Sequence, residues 1–372
     1  MGFYFCERCD WVDEQQYMKQ ALGLAQTAAG QTSPNPLVGS VIVKDGRIVG
    51  MGAHLKAGEA HAEVHALRMA GSAAQGADIY VTLEPCSHHG RTGPCAEAII
   101  RAGVRRVVIA VLDPNPLVSG NGVKKLESAG INVEIGVCEA EALELNRMFF
   151  TFIRKKRPFV TLKHAITLDG KIATRGGRSE KITGEAVQQD VHKLRFLHDA
   201  ILVGAQTVAL DNPRLTNRFD DSKKQPIRVV LDHDLRIPQE SHIIQVPDAP
   251  TWIITGSDAD IPNRAAQFPE HVTVLQVEGP RVEIEPALEL LAEHNVLSVL
   301  VEGGQKINTA FLKSGQVDEI ATYIAPIILG DAGTVSVFGD LQTGAAENGI
   351  RLETKSVDRI GNDLKITSTL KE

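Results

Sequence analysis

The sequence predicts an α/β protein of two domains, and two observations support this. Segments with helical periodicity alternate with short β-branched segments typical of strands along most of the chain. With 372 residues, the chain is also longer than one hydrophobic core usually serves. We expect one domain over residues 1–150 and a second over residues 158–372, because a basic connector stops before Pro158.

In the first half, the predicted elements form a sheet enclosed by helices. The segment VGSVIVKDGRIVG (38–50) indicates two short strands joined at an Asp45-Gly46 turn, which is typical of a β-hairpin. A strand pattern at 78–85 leads into PCSHHGRTGPC (85–95). The other predicted elements are helices at 14–29, 61–74, 95–103, near 121–129 and from 139 up to the connector, and strands at 105–114 and 131–137.

The second half contains a further series of predicted strands, which indicates a second sheet. A polar, proline-containing stretch from Asn212 to Pro226 interrupts the series and is predicted to be a loop. The strand segments are PFVTLKHAI, DAILVG, PIRVVLD, TWIITG, VTVLQV and LSVLVEGG.

Composition limits the function classes. With 39 basic and 46 acidic residues the chain has a formal net charge of −7, which argues against a nucleic-acid binder and favours a small-molecule substrate. We find no pattern of a signal peptide and no apolar run long enough for a bilayer, so we expect a cytoplasmic protein without a membrane partner. The cysteines are too few for a disulfide framework and favour metal binding or catalysis: Cys6, Cys9, Cys86, Cys95 and Cys138.

Four residues have the spacing of a catalytic zinc site. His61 and Glu63 stand two positions apart, and Cys86 and Cys95 flank a loop between a predicted strand and a predicted helix. One imidazole and two thiolates would leave the fourth tetrahedral position of Zn²⁺ for water, while Glu63 would move protons. The combination H-x-E followed by P-C and a second cysteine is the signature of zinc-dependent nucleobase deaminases, although their usual cysteine spacing is shorter.

Several other interpretations remain open at this point. His88 and His89 could be zinc ligands, although contact with substrate or solvent is favoured. Cys6 and Cys9 form a lone CxxC that could be a second metal site or part of a terminal tail. The chain could also be a deaminase of another base with a non-catalytic second domain, or a non-catalytic protein with structural zinc.

The surrounding motifs extend this pattern across the whole chain. They are SPNPLVG (33–39), HAE (61–63), PCSHHGRTGPC (85–95), DPNPLVSGNG (113–122), VTLKHAITLDGKIAT (160–174), HDAILVGAQTVALDNPRLT (198–216) and LVEGGQKINTAFL (300–312). Together they resemble the bacterial bifunctional riboflavin-biosynthesis deaminase–reductases.

The resemblance implies a cytidine-deaminase-like α/β/α sandwich followed by a dihydrofolate-reductase-like α/β domain. The first domain would hydrolyse the 2-amino group of 2,5-diamino-6-ribosylamino-4(3H)-pyrimidinone 5′-phosphate, and the second would use NADPH to reduce the ribosyl group to ribityl. It also implies a homo-oligomer.

The resemblance also implies binding residues in both halves. The substrate-contacting candidates in the deaminase half are Asn35, His54, His88, Arg91, Thr92 and Asp113. Those in the reductase half are Lys163, Ser179, Arg195, Leu215, Arg218 and Glu302. The NADPH candidates are Ala165, Thr207, Asp211, Gly304, Gln305, Lys306, Ile307, Asn308, Thr309 and Ala310.

Three positions depart from the family pattern. Lys181 stands where a tryptophan is usual near the expected cofactor, Gly93 replaces a proline in the cysteine loop, and Ala60 replaces the proline before HAE. The reductase half also lacks G-x-G-x-x-G, so the sequence does not support a Rossmann cofactor site. None of these differences removes a residue that the chemistry requires.

Overall fold

The protein folds as two compact units that divide between Lys155 and Lys156. The structure is a computed structural model and describes residues 10–87, 93–115, 119–174, 181–219, 224–257, 261–330 and 333–371. Within that part of the chain, none of the helices has the length and apolar character that a membrane span requires.

The first unit is a five-stranded sheet in the order β2-β1-β3-β4-β5. Strand β1 runs antiparallel to both of its neighbours, whereas β3, β4 and β5 are parallel. The elements are α1 (Asp10–Gln26), β1 (Gly39–Lys44), β2 (Arg47–Ala53), α2 (Ala62–Ala70), β3 (Asp78–Val81), α3 (Cys95–Arg101), β4 (Arg106–Ile109), α4 (Asn121–Ser128), β5 (Asn132–Ile135), α5 (Glu139–Leu145) and α6 (Arg147–Lys155).

Alternate side chains of these strands pack on opposite faces of the sheet. Ile79 of β3 packs in a cluster with Ala66 of α2 and Ile99 of α3. Its neighbour Tyr80 packs on the other face with Met18 of α1. Because both faces are buried against helices, the unit is the α/β/α sandwich predicted from the sequence.

Two local predictions had different outcomes. The hairpin prediction is confirmed, since Asp45 and Gly46 both have positive φ between β1 and β2, as the tight turn requires. The prediction of one continuous helix from residue 139 to the connector is wrong. The helix breaks at Asn146, whose side chain bonds to the main chain of Leu37 instead.

The second unit is built on a nine-stranded sheet in the order β11-β10-β9-β8-β12-β6-β13-β16-β15. Seven strands are parallel, and the hairpin of β15 and β16 completes one edge antiparallel to β13. The strands of this sheet are β6 (Phe159–Thr167), β8 (Ala200–Gly204), β9 (Ile227–Leu231), β10 (Thr251–Thr255), β11 (Val272–Gln276), β12 (Ser298–Val301), β13 (Glu319–Ala325), β15 (Leu352–Ile360) and β16 (Asp363–Leu370). Strands β7 (Lys171–Ala173) and β14 (Val335–Ser336) pair with each other in a separate two-stranded sheet.

Helices cover both faces of this sheet. Leu288 of α11 and Phe311 of α12 pack on one face, and Val187 of α7 and Val208 of α8 pack on the other. The helices are α7 (Glu185–Leu197), α8 (Ala205–Asp211), α9 (His242–Gln245), α10 (Ile261–Ala265), α11 (Ile284–Glu293) and α12 (Gln305–Ser314). The six strands predicted from the sequence are present in this sheet. Its other three strands, β13, β15 and β16, were not predicted.

Candidate functional site

The predicted metal ligands meet at the ends of three elements of the first unit. His61 is the N-cap of α2, Cys95 is the first residue of α3, and Cys86 lies in the loop after β3. The His61 Nδ1 atom is 3.6 Å from Cys86 Sγ and 3.2 Å from Cys95 Sγ. All three ligand atoms lie within 4.8 Å of one another.

The chemistry of this donor set fits zinc. Cys86 and Cys95 are free thiols, which excludes a disulfide between them. Contact with Cys95 lowers the pKa of Cys86 to about 4, and the same contact raises the pKa of Cys95. A lowered thiol pKa favours the thiolate form that binds metal, and one imidazole with two thiolates is a zinc ligand set with an open fourth position.

Glu63 lies in the first turn of α2, two residues after His61. Its side chain is 3% exposed, and its Oε2 atom has no hydrogen-bond partner among the described residues. Burial raises the pKa of Glu63 to about 7. A carboxyl group with this pKa gains and loses a proton readily near neutral pH, as a proton shuttle must.

Asn35 and His54 form a pair beside this centre. His54 is buried, and its ring meets the His61 ring edge-on with centroids 5.3 Å apart. Its Nδ1 atom lies 3.2 Å from the Ala60 carbonyl, and Asn35 Nδ2 donates to Nε2 at 3.0 Å. Burial lowers the pKa of His54, so the ring is neutral and Asn35 keeps its amide oxygen for another donor.

Asp113 is held to the same end of the sheet through Glu84. The main-chain N–H of Asp113 donates to Glu84 Oε2, and Glu84 precedes Cys86 by two residues. The proposed substrate contacts His88, Arg91 and Thr92 lie outside the described residues, as does the CxxC of Cys6 and Cys9.

In the second unit, three predicted substrate residues form one ion-pair cluster. Arg195 donates from Nε and Nη2 to the two carboxylate oxygens of Glu302 at 2.7 and 3.0 Å, and Lys163 Nζ lies 3.6 Å from Oε2. Burial by itself would raise the pKa of Glu302, but Arg195 and Lys163 lower it to about 2. Glu302 is therefore ionised at neutral pH.

Two other substrate predictions have different surroundings. Arg218 is exposed and donates to His192 Nε2 from Nε at 3.2 Å and from Nη2 at 3.1 Å. The Leu215 side chain is 3% exposed and packs in the core with Ile201, which leaves its main chain for contact with a ligand. The remaining prediction, Ser179, lies outside the described residues.

The predicted cofactor segment forms the N-terminus of α12. Gly304 is the N-cap and brings no capping side chain, so the first N–H groups of α12 are available to an anion such as a phosphate. A Cβ atom at Gly303 would lie 2.4 Å from the Ile307 side chain, which explains why glycine precedes this helix. These features fit the phosphate groups of a dinucleotide.

Most side chains of this segment, however, point to other parts of the protein. Gln305 Nε2 donates to the carbonyls of Ser336 and Phe338, and Thr309 Oγ1 accepts the N–H of Gly339 at 2.8 Å. Asn308 is buried and donates to the Val337 carbonyl, and Ile307 packs against Gly204. Lys306 and Ala310 instead line a concavity beside Asp340.

Three cofactor candidates outside that segment lie on two elements. Ala165 is in β6, paired in register with Tyr323 of β13. Thr207 lies in α8, and a Cβ atom at Gly304 would be 4.0 Å from its Oγ1. Asp211 is the exposed last residue of α8. The structure therefore brings Thr207 to the N-terminus of α12, with Asp211 one helical turn further on.

Comparisons with known proteins agree with both halves. Residues 158–366 match the family model of the RibD C-terminal domain, and residues 12–111 match the cytidine and deoxycytidylate deaminase zinc-binding region. A riboflavin biosynthesis protein RibD of Bacillus amyloliquefaciens is 48% identical over 359 residues, which cover 96% of this chain and 97% of that protein. The chain belongs to the RibD family.

Solved structures of RibD proteins have the same fold. Acinetobacter baumannii RibD (form 1) superposes with a TM-score of 0.89 at 38% identity, covering 98% of this chain and 100% of that one. A Thermotoga maritima diaminohydroxyphosphoribosylaminopyrimidine deaminase/5-amino-6-(5-phosphoribosylamino)uracil reductase superposes with a TM-score of 0.85 at 36% identity. The superposition covers 97% of this chain and 99% of that one. The family resemblance read from the motifs and the α/β fold of both halves are confirmed.

The sequence analysis missed three residues that organise these sites. Glu84, Asn146 and His192 hold Asp113, Leu37 and Arg218 through side-chain hydrogen bonds. Only Glu84 left a local signal, an acidic residue near the end of the strand predicted at 78–85, next to Pro85 and Cys86. The partners of Asn146 and His192 are distant in sequence, so no local pattern indicates them.

Proposed function

We propose that this chain catalyses two consecutive steps of riboflavin biosynthesis. The deaminase, assigned to residues 1–150, replaces the 2-amino group of 2,5-diamino-6-ribosylamino-4(3H)-pyrimidinone 5′-phosphate by oxygen. The reductase, assigned to residues 158–372, then converts the ribosyl group to ribityl and gives 5-amino-6-(5-phosphoribitylamino)uracil. The observation that carries the proposal is the cluster of His61, Cys86 and Cys95 beside the buried Glu63, in a chain that belongs to the RibD family over almost its full length.

In the deaminase, the chain's own residues bind, orient and move protons. A zinc ion held by His61, Cys86 and Cys95 supplies Lewis acidity toward water. Glu63 takes a proton from the attacking water at Oε2 and returns it to the departing amino group, which leaves as ammonia. Its raised pKa suits both directions of this transfer. Asn35, oriented by neutral His54, offers its amide oxygen to an N–H group of the pyrimidine.

In the reductase, we assign NADPH to the N-terminus of α12 and the ribosyl phosphate to the basic residues. Hydride addition at C1′ also requires a proton. Glu302 is ionised and has no proton to give, because Arg195 and Lys163 hold its pKa near 2. Lys163 Nζ lies 3.6 Å from this carboxylate, so we assign the donor role to Lys163. Arg195 and Arg218 provide guanidinium groups for the phosphate.

We also propose that the chain forms a homo-oligomer in the cytoplasm. The hairpin of β15 and β16 exposes the apolar side chains of Leu352, Val357 and Leu364 at the edge of the large sheet, where a second copy could cover them. The free thiols of Cys86 and Cys95 suit a reducing compartment. Sedimentation equilibrium tests the assembly, and a monomer at all concentrations would contradict it.

Product masses test the two activities separately. Zinc-loaded protein is incubated with the diaminopyrimidinone ribosyl phosphate, with and without NADPH. We expect replacement of one amino group by oxygen without NADPH, and gain of two hydrogens only with it. If the protein deaminates another nucleobase and leaves this substrate unchanged, the alternative is favoured, a deaminase with a non-catalytic second domain. The family match of residues 158–366 disfavours that alternative.

A further inference from the structure

Glu84 makes a set of contacts that the deaminase mechanism does not use. Its side chain is 4% exposed and lies at the end of the segment that follows β3. The carboxylate accepts four main-chain N–H groups. Oε2 accepts from Asp113 at 3.3 Å and from Gly120 at 2.9 Å, and Oε1 accepts from Gly122 at 2.9 Å and from Val123 at 3.3 Å.

These four donors belong to one loop and the helix that it enters. Gly120 is the N-cap of α4 and has no side chain to cap the helix, so Glu84 satisfies the N–H groups of Gly122 and Val123 from outside. The negative charge also lies at the positive end of the α4 dipole. Glu84 thus replaces a local N-cap and fixes where α4 begins.

The same carboxylate holds two points of the chain before α4. They are the N–H of Asp113 and the N–H of Gly120, both on Oε2. Next to these points, Asp113 Oδ1 accepts the N–H of Asn115 at 2.8 Å, and Ser119 N–H donates to the Asn115 carbonyl at 2.8 Å. Asp113 and Asn115 are therefore placed by one anchoring side chain.

The fit around Glu84 leaves little freedom for α4 to move. A Cβ atom at Gly122 would lie 2.1 Å from the Pro85 carbonyl oxygen and 3.1 Å from Glu84 Oε1. Only glycine allows the helix to approach so closely. Since Pro85 is followed by Cys86, one short segment carries both a metal ligand and the anchor of the loop.

We infer that Glu84 is a positioning residue of the deaminase that holds Asp113, Asn115 and Gly120 in place and thereby sets affinity for the pyrimidine. This inference rests on the proposed function and on the substrate contact that the family resemblance implies for Asp113. The four contacts of the Glu84 carboxylate are all with main-chain N–H groups, and none of them is with a metal ligand. Its loss should weaken substrate binding more than it slows the chemical step.

The test is Glu84→Gln, which keeps the shape but replaces one acceptor oxygen by an NH₂ donor. That donor would face N–H donors, so one of the two pairs of hydrogen bonds is lost. We expect KM for deamination to rise about tenfold, because the loss of one pair of hydrogen bonds and of the carboxylate charge leaves Asp113 less firmly placed. We expect kcat within about threefold of wild type, unchanged zinc content and unchanged reductase turnover, with faster hydrogen exchange at residues 113, 120 and 122.

Glu127→Gln is the matched control, because Glu127 is an exposed residue of the same α4 helix. It should change none of these quantities. An unchanged deaminase KM in Glu84→Gln would overturn the inference, and so would loss of zinc, which would make Glu84 a support of the metal centre. If Glu84→Gln does not fold, Glu84→Asp replaces it. This variant keeps the charge but shortens the side chain, and an unchanged KM would again overturn the inference.

The hydrogen-exchange measurement separates this inference from the proposed function. If wild-type protein does not deaminate the diaminopyrimidinone, the substrate assignment fails. Faster hydrogen exchange at residues 113, 120 and 122 in Glu84→Gln would then still support the anchoring role of Glu84. Unchanged exchange would overturn that role as well.

Discussion

Asn146 binds both main-chain polar groups of Leu37 with its side-chain amide. The N–H of Leu37 donates to Asn146 Oδ1 at 2.8 Å, and Asn146 Nδ2 donates to the Leu37 carbonyl at 2.8 Å. Leu37 follows Asn35 by two residues, so this pair fixes the segment that brings Asn35 to His54. The same pair explains why the chain leaves the helical path between α5 and α6.

Replacing Asn146 should destabilise the deaminase half. Asn146→Asp keeps the acceptor but sets a carboxylate oxygen against the Leu37 carbonyl, and leaves that carbonyl unpaired. We expect a loss of about 1–3 kcal/mol in the free energy of unfolding, measured by urea denaturation of the full chain. Asn132→Asp, at an exposed position of β5, is the control. Equal stability of the two variants would contradict the role given to the pair.

Glu63→Gln should separate metal binding from proton transfer. The amide cannot shuttle a proton, so deamination should fall about 10²–10⁴-fold. Zinc content and reductase turnover should stay at wild-type values, since none of the metal ligands is altered. Full deaminase activity in this variant would remove Glu63 from the mechanism and favour a structural metal site.

Removing zinc with a chelator should abolish deamination and expose two thiols. Cys86 and Cys95 should then react with a thiol reagent that leaves them unmodified in the zinc-loaded protein, because metal-bound thiolates are protected. Cys6, Cys9 and Cys138 are first replaced by serine, so that Cys86 and Cys95 are the only thiols that can react. Reductase turnover should not change. Equal thiol counts before and after chelation would argue against both cysteines as ligands.

The Arg195–Glu302 pair should make the reductase half sensitive to acid. The pKa of Glu302 is about 2 in the folded protein and near 4.5 when unfolded, so the folded state favours the ionised form. This stabilisation is present above pH 4.5 and is lost as the pH falls toward 2.

Glu302→Gln tests that pair directly. At pH 7 it leaves Arg195 buried without its counter-charge, and we expect a loss of about 3–5 kcal/mol. Calorimetry between pH 5 and pH 3 should show a flatter decline of the unfolding temperature than in wild type. A parallel decline in both proteins would mean that other carboxylates dominate the acid response.

His192 should make substrate affinity of the reductase depend on pH. Its Nε2 accepts two N–H groups of Arg218, and burial together with Arg195 and Arg218 lowers its pKa. The ring is thus neutral at pH 7 and the contact is intact. Once the pH falls below this lowered pKa, the ring gains a proton, can no longer accept, and releases Arg218.

Reductase KM measured against pH checks this relationship. Wild type should show KM rising in acid. In His192→Gln, the amide oxygen can accept from Arg218 at every pH, so the rise should be absent. If both proteins show the same rise, titration of the substrate phosphate accounts for it and His192 does not.

Local patterns were sufficient for much of the fold and for the metal centre. The hairpin turn at Asp45-Gly46, the alternation of strands and helices, and the spacing of His61, Glu63, Cys86 and Cys95 all depend on residues close in sequence or on residue types with few alternatives. Strands β13, β15 and β16 were not identified. For β15 the reason is that it exposes most of its side chains and lacks an apolar alternation.

Tertiary structure alone decided the residues that place those groups. Asn146 and Leu37 are 109 positions apart, and Glu84 and Gly122 are 38 apart, so their pairing depends on how the sheet and helices assemble. For the same reason, Leu215 lies in the core, and Gln305 and Thr309 direct their side chains to residues 336–339. The sequence by itself determined which chemical groups this protein has and the order of its elements. The long-range contacts decided where each group points, because buried polar atoms take whichever partner the assembled fold brings within reach.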